Sequence, residues 1–263
     1  MKKIIQASLP VLALLFMLGL GAADQASLGK SAKILFLHHS TGENIWNGGL
    51  EAWLAQYNTK NGTSYAIRET AFPNEPYEWA NYPYDYWLLW VKHAGRGYQG
   101  QPTLEKLARE NTVIIWKHCF PGSALEEDSG QPAVDSDVKS LENYKLQYNA
   151  LKKKMKESPN VRFILWTLAL EVEGNIDPGQ AGRAREFVRW VKTVWDEKGD
   201  NIFLWDFHAL ESESGLFLKK KYSSGGGDAH PNEAFSRKAA PLLGRRIVDV
   251  IEGRGDSGSL TGQ

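Results

Sequence analysis

The chain has 263 residues, 42% hydrophobic and 24% charged, a length that suits one compact domain with a sizeable core. Basic and acidic residues balance at 31 each, and once Lys2 and Lys3 are assigned to a leader the remainder is slightly acidic. That balance supplies no basic field for holding a phosphate backbone, so a dedicated nucleic-acid binder is disfavoured. The single cysteine, Cys119, excludes an internal disulfide and every cysteine-cluster zinc site.

Met1-Lys2-Lys3 precedes an apolar run from Leu9 to Leu20, broken only by Pro10 and Gly19 and followed by the small residues Gly21, Ala22 and Ala23. This is the pattern of a secretory signal peptide over residues 1–23, with cleavage after Ala23 or Ala26. Its apolar core is short for a stable span, so the expected product is exported, secreted or periplasmic, without stable membrane insertion. Residues 24–251 then form the folded domain. Residues 252–263, rich in Gly and Ser, read as a flexible tail, and the Arg254-Gly255-Asp256 within it reads as chance.

Five short apolar runs predict strands: Lys33 to Leu37, Tyr65 to Glu69, Val113 to Trp116, Val161 to Thr167 and Ile202 to Asp206. Steps of three and four predict helices through Leu141, Tyr144, Tyr148, Leu151 and Met155, and through Ala184, Phe187, Val191 and Trp195. A last amphipathic helix runs from Phe235 to Ile251, opened by Pro231 in its first turn. Alternating strands and helices predict an α/β fold, a three-layer α/β/α arrangement with a doubly wound sheet of about five parallel strands. Ligands in such folds sit beyond the carboxyl ends of the strands, so the loops beginning near His38, Lys117, Thr167 and Phe207 are expected to converge on any site.

Two segments carry chemistry. His38-His39-Ser40-Thr41-Gly42 follows the first strand and leads into a helical pattern, which puts Ser40 at a strand-to-helix turn. Backbone amides at such a turn can steady an oxyanion, but a serine hydroxyl needs a base to become a nucleophile. The plainer reading of Ser40 is a helix N-cap. Gly227-Asp228-Ala229-His230-Pro231-Asn232 places an imidazole beside a carboxylate, as a general base oriented by an acid requires. Its plainer reading is helix capping by Asp228 and Asn232, with His230 an exposed loop residue.

Together these blocks resemble the SGNH hydrolases, or GDSL esterases. Ile34-Leu35-Phe36-Leu37-His38-His39-Ser40 matches that family's strand and nucleophile, with two histidines in place of Gly-Asp. Asp228-Ala229-His230-Pro231-Asn232 matches its base loop. The resemblance implies a flavodoxin-like fold and ester hydrolysis through an acyl-serine intermediate, with Ser40, Asp228 and His230 as the catalytic residues and no metal or other cofactor. Two departures stand out. Asp228 lies two residues before His230 where the family has three, which leaves Asp206, Glu171 and Glu173 as substitute acids. The family's oxyanion-hole glycine and asparagine have no evident counterpart, so Lys117 or His118 is read either as the substitute donor or, equally, as a solvated strand-end residue and a packed ring, with Gly42, Asn44 and Asn74 as further candidates.

His38, His39, His118, His208 and His230 all fall near strand ends, yet adjacent histidines on an extended segment point apart and no helical ligand spacing occurs, so no metal site is expected. Cys119 reads as a small buried residue. Phe72 to Tyr98, inside an insertion near residues 72–100, is dense in Tyr and Trp. It is read either as a lid whose rings stack on a sugar or as a small auxiliary subdomain packed on the sheet. The expected activity is an exported serine esterase acting on a small-molecule or glycan ester, with O-acetyl carbohydrate as one candidate. The alternative is a noncatalytic glycan-binding protein on the same fold.

Overall fold

The computed structural model describes residues 25–263, so the leader expected over 1–23 lies outside the described residues. Five strands, β1 (Ser31–His38), β2 (Ser64–Ala71), β3 (Val113–Trp116), β4 (Arg162–Trp166) and β5 (Ile202–Trp205), form one parallel sheet in the order β2-β1-β3-β4-β5. Helices α1 (Ser40–Asn47) and α2 (Leu50–Asn61) follow β1; α3 (Pro83–Trp87) and α4 (Leu104–Glu110) follow β2. Then come α5 (Leu141–Lys156), α6 (Pro178–Trp190), α7 (Phe207–Ser212) and α8 (Glu233–Ile251). A short antiparallel hairpin, β6 (Ser223–Gly225) and β7 (Asp228–Pro231), precedes α8.

Side chains alternate across the strands with a period of two, and both faces of the sheet are covered. Leu35, Leu37, Ile114, Trp116, Phe163, Leu165, Ile202 and Leu204 pack toward α3, α5 and α6. Ile34, Phe36, Val113, Ile115, Ile164, Trp166, Phe203 and Trp205 pack toward α1, α2 and α8. This is the expected three-layer α/β fold, and burial on both faces explains why β3, β4 and β5 read as unbroken apolar runs. The edge strand β2 buries little beyond Tyr65 and presents Arg68 and Glu69, charges that discourage pairing with another chain.

Two expectations are corrected. Pro231 does not open the last helix: it ends β7, and Asn232 is the N-cap, accepting from the Phe235 amide at 2.9 Å. Of the two readings of the aromatic insertion, packing on the sheet describes Phe72, Tyr77, Tyr82, Tyr86, Trp87 and Trp90, which are buried, while Trp79 stands exposed. The carboxyl segment is not a free tail. The Asp206 amide donates to Leu260 O at 2.8 Å, the Trp205 indole to Thr261 O at 3.2 Å and Arg246 Nη1 to Gly255 O at 2.7 Å, so residues 252–263 flank the β5 edge. Glycine lets this segment come close: a β-carbon on Gly255 would lie 2.3 Å from the Phe203 ring. Gly255→Leu is therefore expected to lower unfolding stability by about 1–3 kcal/mol, the usual cost of overpacking, measured by urea titration.

Candidate active site

Strand β1 has β2 on one side and β3 on the other, so the chain leaves the sheet in opposite directions from this point and a crevice opens beyond its carboxyl end. His38 closes the strand, His39 is the N-cap of α1 and Ser40 is its first residue. The turn is tight because Gly42 has no side chain: a β-carbon there would lie 2.3 Å from the His38 β-carbon and 3.1 Å from Lys117 Cδ.

The hairpin brings the second segment over this turn. In extended β7, residues two apart project from the same face, so Asp228 and His230 meet despite the short spacing. His230 Nδ1–H donates to Asp228 Oδ1 at 2.6 Å, and the His230 backbone amide donates to the same oxygen at 2.9 Å. These two bonds hold the Asp228 carboxyl below its usual carboxylate range. With Nδ1 carrying the proton, Nε2 is an acceptor, and it lies 2.7 Å from Ser40 Oγ. The sequence places these two residues 190 positions apart, and the fold puts them in hydrogen-bond contact. Such a chain can remove a proton from a hydroxyl and return it to a leaving group.

The supports of the hairpin are specific. Asn44 Nδ2 on α1 donates to Pro231 O at 2.7 Å, joining the serine helix to the histidine strand. Asn232 Nδ2 donates to Lys221 O and Ser223 O, and Ser223 Oγ to Asp228 O. Asn175 Nδ2 bridges Gly227 O at 2.9 Å and Glu171 Oε2 at 2.8 Å. Glu171 is thus a buttress of the hairpin rather than the acid on His230. Asp206 caps α7, accepting from Ala209 N, and Glu173 sits in an exposed loop. Neither substitute acid reaches the imidazole.

The residues expected to bind an oxyanion have other duties. The Gly42 amide donates to His39 O at 2.8 Å. Asn44 is occupied with Pro231, and Asn74 with Ala71 and Gln101. Lys117 is fully buried and donates from Nζ to Cys119 Sγ at 2.9 Å. Burial alone would raise the Cys119 thiol; the Lys117 charge and bonds from Lys117 and Thr41 bring it below its ordinary value. His118 is buried among Tyr86, Trp116 and Tyr148, neither ring nitrogen has a partner among the described residues, and burial holds its pKa well below the usual imidazole range. Local sequence does not reveal these placements, because Tyr86 and Tyr148 come to His118 from α3 and α5, and Trp166 comes to Lys117 from β4.

Two rings border the site. Trp79, 41% exposed, stacks on His39 with centroids 3.5 Å apart, and Phe120 sets its edge against the His230 imidazole at 4.9 Å. His39 donates from Nε2 to Pro73 O, and burial lowers its pKa to about 4. Basicity this low, with Nε2 held by Pro73 O, makes it a far weaker base for Ser40 than an ordinary imidazole. No group of three or more His, Cys, Asp and Glu among the described residues is arranged to hold a metal ion.

No family model matches the chain, and no curated protein matches it. Among solved structures it is similar to an acetyl xylan esterase, at 13% identity and a TM-score of 0.49, over 79% of this chain and 96% of that one. It is also similar to a gut microbial diltiazem-metabolizing enzyme, at 12% identity and a TM-score of 0.49. That match spans 88% of this chain and about half (49%) of the other.

Two outcomes test this arrangement. Gly42→Ala forces α1 off the strand end and is expected to cost about 1–3 kcal/mol, read from chemical denaturation. His39 and His208 are each held near pKa 4 by burial against 6.5 in the unfolded chain. The unfolded state therefore binds more protons between these values, so the melting temperature is expected to fall as pH drops from 6.5 toward 4. A melting temperature flat across that window would contradict the buried neutral imidazoles.

Proposed function

We propose that this protein is an exported serine hydrolase that cleaves esters, with an acylated carbohydrate as its substrate class. The observation that carries the reading is the continuous hydrogen-bonded chain from Asp228 through His230 to Ser40. Ser40 Oγ attacks the ester carbonyl carbon as His230 Nε2 takes its proton. The tetrahedral oxyanion then collapses, the bond to the alcohol oxygen breaks, and His230 returns the proton to that oxygen. Water attacks the acyl-serine in the same way, giving the free acid and restoring Ser40. Asp228 stays ionised throughout and stabilises the imidazolium.

For the oxyanion, the amide of Ser40 itself heads α1, where helix geometry leaves donors without intrahelical partners and where the helix dipole favours negative charge. It takes the part that the sequence suggested for Lys117, His118, Gly42 or Asn44. The exposed face of Trp79 beside the nucleophile turn supports the carbohydrate assignment, because a flat ring there can stack on the C–H face of a sugar.

Purified protein is expected to hydrolyse a small aryl acetate, with Ser40→Ala reducing kcat at least about 10³-fold. Asp228→Asn should keep the fold and lower kcat by about 10²- to 10⁴-fold, because the imidazole loses its oriented tautomer. Equal rates in wild type and Ser40→Ala would exclude the mechanism. Glycan binding without cleavage across an acyl-sugar panel would favour the noncatalytic reading instead.

A further inference from the structure

Away from Ser40, the face of α6 and its continuation through Val191–Trp195 meets the start of α7 around a cavity of about 230 Å³. Arg185, Arg189 and Lys192 line it, spaced four and three residues apart so that they share one helix face. The guanidinium groups of Arg185 and Arg189 have no hydrogen-bond or ion-pair partner among the described residues. Two like charges at this spacing repel on a bare helix. Asp206, which caps α7, is already engaged by Lys192, by Thr167 Oγ1 at 3.0 Å and by the Ala209 amide at 3.2 Å. Glu213, next to the lining residue Ser214, is paired with Lys221 and Tyr222. The cavity therefore keeps an excess of positive charge.

An independent observation comes from α7. His208 lines the same cavity, is only 5% exposed, and its Nε2 has no partner among the described residues. Its Nδ1 faces Ser212 Oγ at 3.5 Å. A buried polar atom left unsatisfied is costly, so a polar group entering the cavity and reaching it would be stabilised. Val188 and Ala209 supply apolar wall beside these polar groups. The volume lies at the small end of ligand cavities, beyond what a bare oxyanion needs and short of a drug-sized molecule.

We propose that this cavity binds a small anion, a carboxylate or phosphate carried on a sugar-sized body, with Arg185 and Arg189 gripping the oxyanion and His208 hydrogen-bonding the body. Planar guanidinium groups suit either oxyanion, since each presents paired donors. The site shares no residue with the Ser40–His230–Asp228 chain, so it stands or falls independently of ester hydrolysis.

The test is calorimetric titration of the full chain at low ionic strength with glucuronate, glucose 6-phosphate, inorganic phosphate and glucose. Saturable one-to-one binding of at least one charged sugar, with none for glucose, is the expected result; which of the two binds identifies the oxyanion. Arg185→Gln with Arg189→Gln, both exposed positions, is expected to weaken that binding at least 10-fold while leaving aryl acetate hydrolysis unchanged. Thr193→Trp, which fills the cavity from its exposed rim, should also abolish it, and the His208 ring ¹⁵N signals of the unsubstituted protein should shift on titration. Absence of saturable binding by either charged sugar, binding by phosphate alone, or undiminished binding in the double variant would overturn the proposal.

Discussion

Everything at the candidate site depends on the extended conformation of residues 228–231. In a strand, positions two apart face the same way, so one carboxylate oxygen of Asp228 receives both the ring proton and the backbone proton of His230. The imidazole then has a single available tautomer and a single orientation. A helical turn over the same residues would splay the two side chains and leave the ring free to rotate. The strand is held by pairing with β6 and by Asn175, Asn232 and Ser223, none of which touches Ser40. These residues fix geometry at a distance, which is how an exposed pair of side chains can remain preorganised.

The other half of the constraint is the exit from β1. Only glycine at position 42 lets α1 begin directly against the strand end, because His38 fills the space a side chain would need. Asn44, two residues further on, then ties α1 to β7. The serine and the histidine are thus presented by elements linked to each other, not merely adjacent. The amide of Asn44 spans the same gap as the Ser40–His230 bond, so the contact between nucleophile and base is supported by a second bond in parallel. Asn44 was singled out in the sequence for a different duty, and its value lies in this bridge.

The strands, the layer arrangement and the Ser40–His230 pairing were legible because each rests on local pattern: apolar runs of strand length, a serine at a strand end, an acid-histidine pair before a terminal helix. The adequacy of the two-residue spacing was not legible, since it requires knowing that Gly225, Gly226 and Gly227 turn the chain into a hairpin whose second strand contains Asp228. The packing of Lys117 and His118 is hidden for another reason. The rings around them include some distant in sequence, Tyr86 and Tyr148 beside His118 and Trp166 beside Lys117, which share no local signature with them. The carboxyl segment illustrates the same limit: glycine and serine composition reads as mobility, while here glycine permits contact with Phe203.

The buried Lys117 gives the nucleophile turn an electrostatic floor. Its aliphatic stem runs beneath Gly42, its ammonium lies 5.9 Å from the Trp166 ring centroid, and its hydrogen-bond partner is a thiol rather than a carboxylate. Its charge is felt at His38 and His39, where it adds to burial in keeping both imidazoles neutral. Positive potential below the first turn of α1 therefore reinforces the helix dipole at the position where an oxyanion would form on Ser40. In the proposed reaction Lys117 would act on the reacting centre only through the field it sets up, and the backbone of Ser40 would supply the donor that touches the oxygen.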